Sequence, residues 1–132
     1  MTRNGELKIS LITARGFHNN DFIKDVNPYV IIKYTWAQTK VSRVSYAPTV
    51  YGTDPWWNDI FYFDTTNNGI NVLQMKLYEN ATHKLIGIAD IPLDSVFFVD
   101  SVPETDYQIF NDHGVYVGDI YVALTFTPHQ ED

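Results

Sequence analysis

The side chains of this chain that can do chemistry are acidic and apolar rather than nucleophilic. There is no cysteine, which excludes thiolate catalysis, disulfides and cysteine-based metal sites. His18, His83, His113 and His129 are scattered, and none has a partner at metal-ligand spacing. No G-x-S-x-G elbow, phosphate-binding loop or paired acid/base motif is present, so no enzyme is expected. Asn80-Ala81-Thr82 is a glycosylation sequon by its letters only. More telling is a polar loop, Gly16 to Asn27, in which Phe22 and Ile23 stand side by side between Asp21 and Lys24. Two adjacent large apolar residues in a solvent loop are unusual. They either insert into a membrane interface or fold back onto the body of the domain.

Charge sets the next bound. The 132 residues carry a net charge of −7, and an acidic average repels nucleic acid and anionic membranes. The average hides a split. Residues 1–66 hold seven basic and six acidic groups, whereas residues 67–132 hold two basic groups, Lys76 and Lys84, and ten acidic ones. The length fits one domain, expected to span 1–132 with its core at about 5–128, large enough to hold a core without staples. No apolar run follows Met1 and none approaches a bilayer span, so neither a signal peptide nor a membrane helix is expected.

The elements that must position these residues are strands. Val, Ile and Thr number twelve each against seven Leu and six Ala, a bias toward the pleated sheet. Leu7, Ile9 and Leu11 alternate with Lys8 and Ser10, the period of a half-buried strand. Similar patterns predict strands at 6–13, 29–36, 39–46, 57–63, 71–79, 84–91, 107–110 and 119–127, with 92–106 irregular and a helical turn near 94–98. Trp57 and Phe61 read as core anchors in alternation, and Trp56 points the other way. Eight short strands without a long helix predict an all-β fold, an eight-stranded antiparallel β-sandwich or barrel.

Four segments in order carry a resemblance. Gly16 to Val30 reads G-F-H-N-N-D-F-I-K-D-V-N-P-Y-V. Asp54 to Phe63 reads D-P-W-W-N-D-I-F-Y-F. Leu77-Tyr78-Glu79 is followed by Leu85-Ile86-Gly87-Ile88. Gly118 to Phe126 reads G-D-I-Y-V-A-L-T-F. Together they resemble the C2 domain, a calcium- and phospholipid-binding β-sandwich of Greek-key form. The first strand leads straight into the first ligand loop, which resembles the second of the family's two topologies.

The resemblance implies a calcium site of carboxylates on loops at one end of the sandwich. Asp21 stands at the first aspartate position of loop one and Asn27 at its second, with Asp25 nearby; Glu79 stands at the first position of loop three. Ala81 stands at a further ligand position with no side-chain oxygen, and the segment after it is shorter than the family's. Calcium takes six to eight hard oxygens, so this degenerate set implies weak calcium binding or none, and no required cofactor. The resemblance also implies a basic lipid-binding patch, onto which Lys33 and Lys40 map, with Arg43 close by in sequence, while Ile31 and Gln38 replace lysines. The expected function is a phospholipid-binding or membrane-targeting module with weak or absent calcium dependence. The alternative is a protein–protein interaction module on the same scaffold. A cytosolic carbohydrate-binding sandwich rests on fold analogy alone. The expected partners are an anionic phospholipid surface or a protein, not nucleic acid, and the expected location is the cytoplasm or the periphery of a membrane.

Overall fold

Strand alternation decides which side chains enter the core. In β1 (Gly5–Arg15) the pleat buries Leu7, Ile9 and Leu11 completely while Lys8 and Ser10 face outward. The same logic builds β2 (Pro28–Lys33), β3 (Thr39–Val41), β4 (Trp56–Thr65), β5 (Val72–Glu79) and β6 (Leu85–Pro92). A short helix, α1 (Asp94–Val99), leads into β7 (Ser101–Phe110) and β8 (Tyr116–Pro128). This computed structural model describes residues 3–16, 27–45, 54–66 and 69–129.

The strands lie in the order β3-β2-β5-β6-β7-β8-β1-β4, every pair antiparallel. The order contains two four-stranded halves. Only one ladder pair, Ile88 with Phe110, joins β6 to β7. The halves stack around Leu7, Ile9, Ile32, Trp57, Phe63, Leu77 and Phe126, all essentially inaccessible to solvent. The expected eight-stranded antiparallel sandwich is the fold observed.

Several cross-links close the sandwich. The buried indole of Trp57 donates from Nε1 on β4 to the carbonyl of Pro28 on β2 at 3.3 Å. Beyond β3, the Arg43 guanidinium meets Asp59 at 2.9 Å and the carbonyl of Trp57 at 3.2 Å. Gln38 in the β2–β3 turn uses both ends of its amide on Asp64 of β4: Nε2 donates to the carbonyl at 2.6 Å and Oε1 accepts from the N–H at 2.8 Å. At the far end, Arg3 donates to Phe97 O and to Asp100 while its guanidinium covers the Phe126 ring.

Three strands depart from the sequence pattern, and the second, expected to run to residue 36, ends at Lys33. The third strand, expected to run to residue 46, ends as regular strand at Val41, because the Ser42 hydroxyl takes over the backbone N–H of Val30 at 2.8 Å. The seventh begins at Ser101 rather than 107. Its Pro103 falls in the register shift between Val102 and Thr105, where a missing N–H does no harm. Glu104 and Asp106 are tolerated there because much of β7 faces solvent. The helical turn expected near 94–98 is present as α1, with Val96 and Phe97 buried.

Gly87 sets how closely β6 approaches β7. A methyl group there would lie 2.5 Å from Ile109 Cγ2 and 2.9 Å from the carbonyl oxygen of Phe110. Gly87→Ala is expected to lose about 1–3 kcal/mol through overpacking, read as a lower urea midpoint with an unchanged slope.

Candidate functional site

The expected ligand loops lie at the end where β1 finishes and β2 begins. Asp21, Phe22, Ile23 and Asp25 lie outside the described residues. Asn27 and Glu79 are described, and the chain brings them close: Asn80 N–H donates to the carbonyl of Asn27 at 3.2 Å.

Glu79 does something the sequence did not announce. Its carboxylate turns back onto its own hairpin. Oε1 accepts from the Ala81 N–H at 3.0 Å, and Oε2 accepts from the Thr82 N–H at 2.7 Å and the Thr82 hydroxyl at 2.6 Å. His83 closes the turn with a positive φ of 58°, and its N–H donates to Glu79 O at 2.8 Å. The Thr82 hydroxyl, followed by the two backbone N–H groups, holds the Glu79 carboxyl below its ordinary pKa. Both oxygens at the family's loop-three ligand position are thus engaged within the protein. Among the described residues no three His, Asp or Glu side chains converge to hold a metal ion, and with Ala81 beside it the described part of the site does not fit a calcium cage.

The expected basic patch is divided by register. Lys33 pairs with Thr39, whereas Lys40 pairs with Ile32. Residues paired across a ladder share a face, so Lys40 lies on the side of the buried Ile32. Its ammonium sits 5.6 Å from the Phe63 ring centroid, at the margin of the core. Lys33 lies on the opposite, outer face, its ammonium 3.7 Å from the ring centroid of the exposed Trp36. Arg43 is spent on Asp59 and the carbonyl of Trp57. The three expected basic residues therefore do not form one patch.

A different cation accompanies Lys33. Ile31 pairs with Lys76 and Lys33 with Gln74, which makes Lys33 and Lys76 diagonal neighbours on the outer face of the β2–β5 pair, roughly 7–8 Å apart. Nearer the loops, Tyr29 pairs with Tyr78 and their rings stack at 5.6 Å. The Tyr29 hydroxyl meets His83 Nδ1 at 3.0 Å. Pairing β2 directly with β5, rather than reading each strand alone, would have found Lys76.

Chain order, the two-half sandwich and the loop end correspond to one family, whose model, described as C2 domain, matches residues 5–109. The chain belongs to the C2 domain family. It is similar to 16 kDa phloem protein 2 of Arabidopsis thaliana, 33% identical over 96% of this chain and 84% of that protein. It is also similar to Elicitor-responsive protein 3 of Oryza sativa subsp. japonica, 32% identical over 96% of this chain and 86% of the relative. A solved C2 domain-containing protein superposes with a TM-score of 0.83 at 32% identity, covering 100% of this C2 domain and 96% of that chain. Among the described residues no helix is long and apolar enough to cross a membrane.

A carboxyl with a lowered folded pKa stabilises the fold above its unfolded pKa, and that contribution is lost as pH falls through the folded value. Glu79 is therefore expected to titrate below the ordinary glutamate range. The Ala81 and Thr82 amide resonances should follow it with the same midpoint in an NMR pH titration. In Glu79→Gln that low-pH transition should be absent from both amides.

Proposed function

We propose that this C2 domain is a peripheral phospholipid-binding module with weak or absent calcium dependence. The observation that carries the reading is the diagonal placement of Lys33 and Lys76 on one outer sheet face, beside the Tyr29–Tyr78 stack at the loop end. Two ammonium groups and adjacent aromatic rings suit an anionic headgroup at an interface, where aromatic side chains expose both an apolar body and a polar tip. Phe22 and Ile23, next to this face in the chain, supply apolar insertion in the same reading. The internal engagement of Glu79 supports calcium independence, because hydrogen bonds already organise the loop that a cation would otherwise hold.

A protein-interaction role is favoured by a separate observation. From Leu85 to Asp132 the chain has nine carboxylate side chains and no Lys or Arg, so β6, β7 and β8 present a field that attracts basic groups rather than lipid phosphate.

Co-sedimentation with vesicles of phosphatidylserine and phosphatidylcholine tests the lipid reading. The chain should pellet with the anionic vesicles equally in calcium and in chelator, and poorly with pure phosphatidylcholine. Each basic group near an anionic surface contributes about 1 kcal/mol, so Lys33→Ala with Lys76→Ala should weaken binding roughly thirtyfold. Phe22→Ala with Ile23→Ala should also reduce pelleting. Binding that appears only with calcium, or none under any condition, overturns the proposal.

A further inference from the structure

The seam between β6 and β7 is the least regular junction in the sheet. The two strands touch at Gly87, pair at Ile88 and Phe110, and then part. Where they part, a cavity of about 410 Å³ opens. One wall is Gln74 and Asp90, themselves a ladder pair of β5 and β6. The other is Tyr107, Gln108 and Phe110 of β7.

The lining has a consistent chemistry. Asp90 offers a carboxylate, and it forms no ion pair among the described residues. Gln74 and Gln108 offer amide oxygens, and Phe110 and Tyr107 offer ring faces. Burial pushes the Tyr107 phenol above its ordinary pKa, in keeping with a ring set partly into the seam. None of the lining side chains is cationic. Glu104 and Asp106 add negative charge along β7.

We propose that this seam is a docking site for an arginine side chain carried on an extended segment of a partner protein. A guanidinium fits all three features at once. It takes a carboxylate in bidentate fashion, donates further N–H groups to amide oxygens, and stacks on aromatic rings. A lysine ammonium satisfies the first but neither the planar stacking nor the fork geometry. The segment that carries the arginine has a rail to follow. Beyond the Ile88–Phe110 pair, the β6-facing edge of β7 has no ladder partner among the described residues, and an unpaired edge accepts an added strand. Charge complementarity selects a basic segment, since the whole chain beyond Lys84 lacks Lys and Arg. Lys76, the ladder partner of Ile88, is the one nearby opposing charge on the β5 side. It directs the incoming cation to approach from β7. The site lies beside the lipid-binding face and does not depend on it.

The test is binding of fluorescein-labelled hexa-arginine to the full chain by anisotropy, with hexa-lysine as comparison. Hexa-arginine should bind more tightly, and its addition should move the amide resonances of Asp90, Gln108 and Phe110. Asp90→Asn, an exposed change that leaves the fold alone, should weaken binding about tenfold, as should Tyr107→Leu. Lys76→Gln should strengthen it about twofold by removing a like charge. Asp64→Asn, the same charge loss on β4, should leave binding unchanged. Equal losses from Asp64→Asn and Asp90→Asn, equal affinity for the two peptides, or resonance changes away from the seam would each overturn the proposal.

Discussion

One buried hydrogen bond ties the loop end of this domain to its core. The Trp57 indole fills the space between the sheets at that end and donates to the Pro28 carbonyl, where the first loop returns to β2. The ring supplies the large apolar area of an aromatic anchor. Its N–H gives that buried carbonyl a second donor beside the Ser45 N–H. The same residue's carbonyl receives Arg43, which is held in turn by Asp59. Thr13 and Ala14, on the neighbouring strand, both donate to the carbonyl of Pro55, just before β4. The foot of loop one, the segment after β3 and the start of β4 are therefore registered against each other through a few atoms around one ring. Whatever the loop end binds, its geometry is inherited from that packing.

Much of the fold was legible because strand alternation reports burial directly. Leu7, Ile9, Leu11 and Trp57 were assigned to the core by period alone, and they are inaccessible. The failures have the same origin. An exposed strand such as β7 has no apolar face to betray it, and its acidic residues and Pro103 read as loop. The division of the basic residues is hidden for another reason. Alternation assigns faces within one strand, whereas the relation of Lys33 to Lys40 depends on the register across a turn. That turn holds its own cross-links, Gln38 N–H to the Thr35 carbonyl and hydroxyl, and letters do not reveal the resulting offset. Glu79 shows a third limit. Its residue type suits a cation, but the Ala81 and Thr82 donors that claim it are mostly backbone groups, invisible in a side-chain pattern.

The uneven charge of the chain maps onto space. Lys33 and Lys76 occupy β2 and β5, and the long stretch without basic residues builds β6, β7 and β8. The two regions meet across the β5–β6 ladder, so one continuous sheet surface changes sign over a few strands. With a Debye length of about 8 Å at physiological salt, charges deeper in each patch are screened from the other, and only groups at the border, such as Lys76 and Asp90, influence both. A net charge of −7 therefore describes solubility better than it describes either surface.

The Gln38 side chain has a meaning beyond joining two strands. An amide that both donates to and accepts from Asp64 copies the hydrogen bonding of a peptide unit, so it occupies the rim of β4 as one residue of a neighbouring strand would. Ile60 and Tyr62 lie exposed further along that rim, and an apolar border strand is where another chain can continue the sheet. A single glutamine thus acts as a stopper at the Asp64 end of a ten-residue border strand, occupying the place where an added strand would begin.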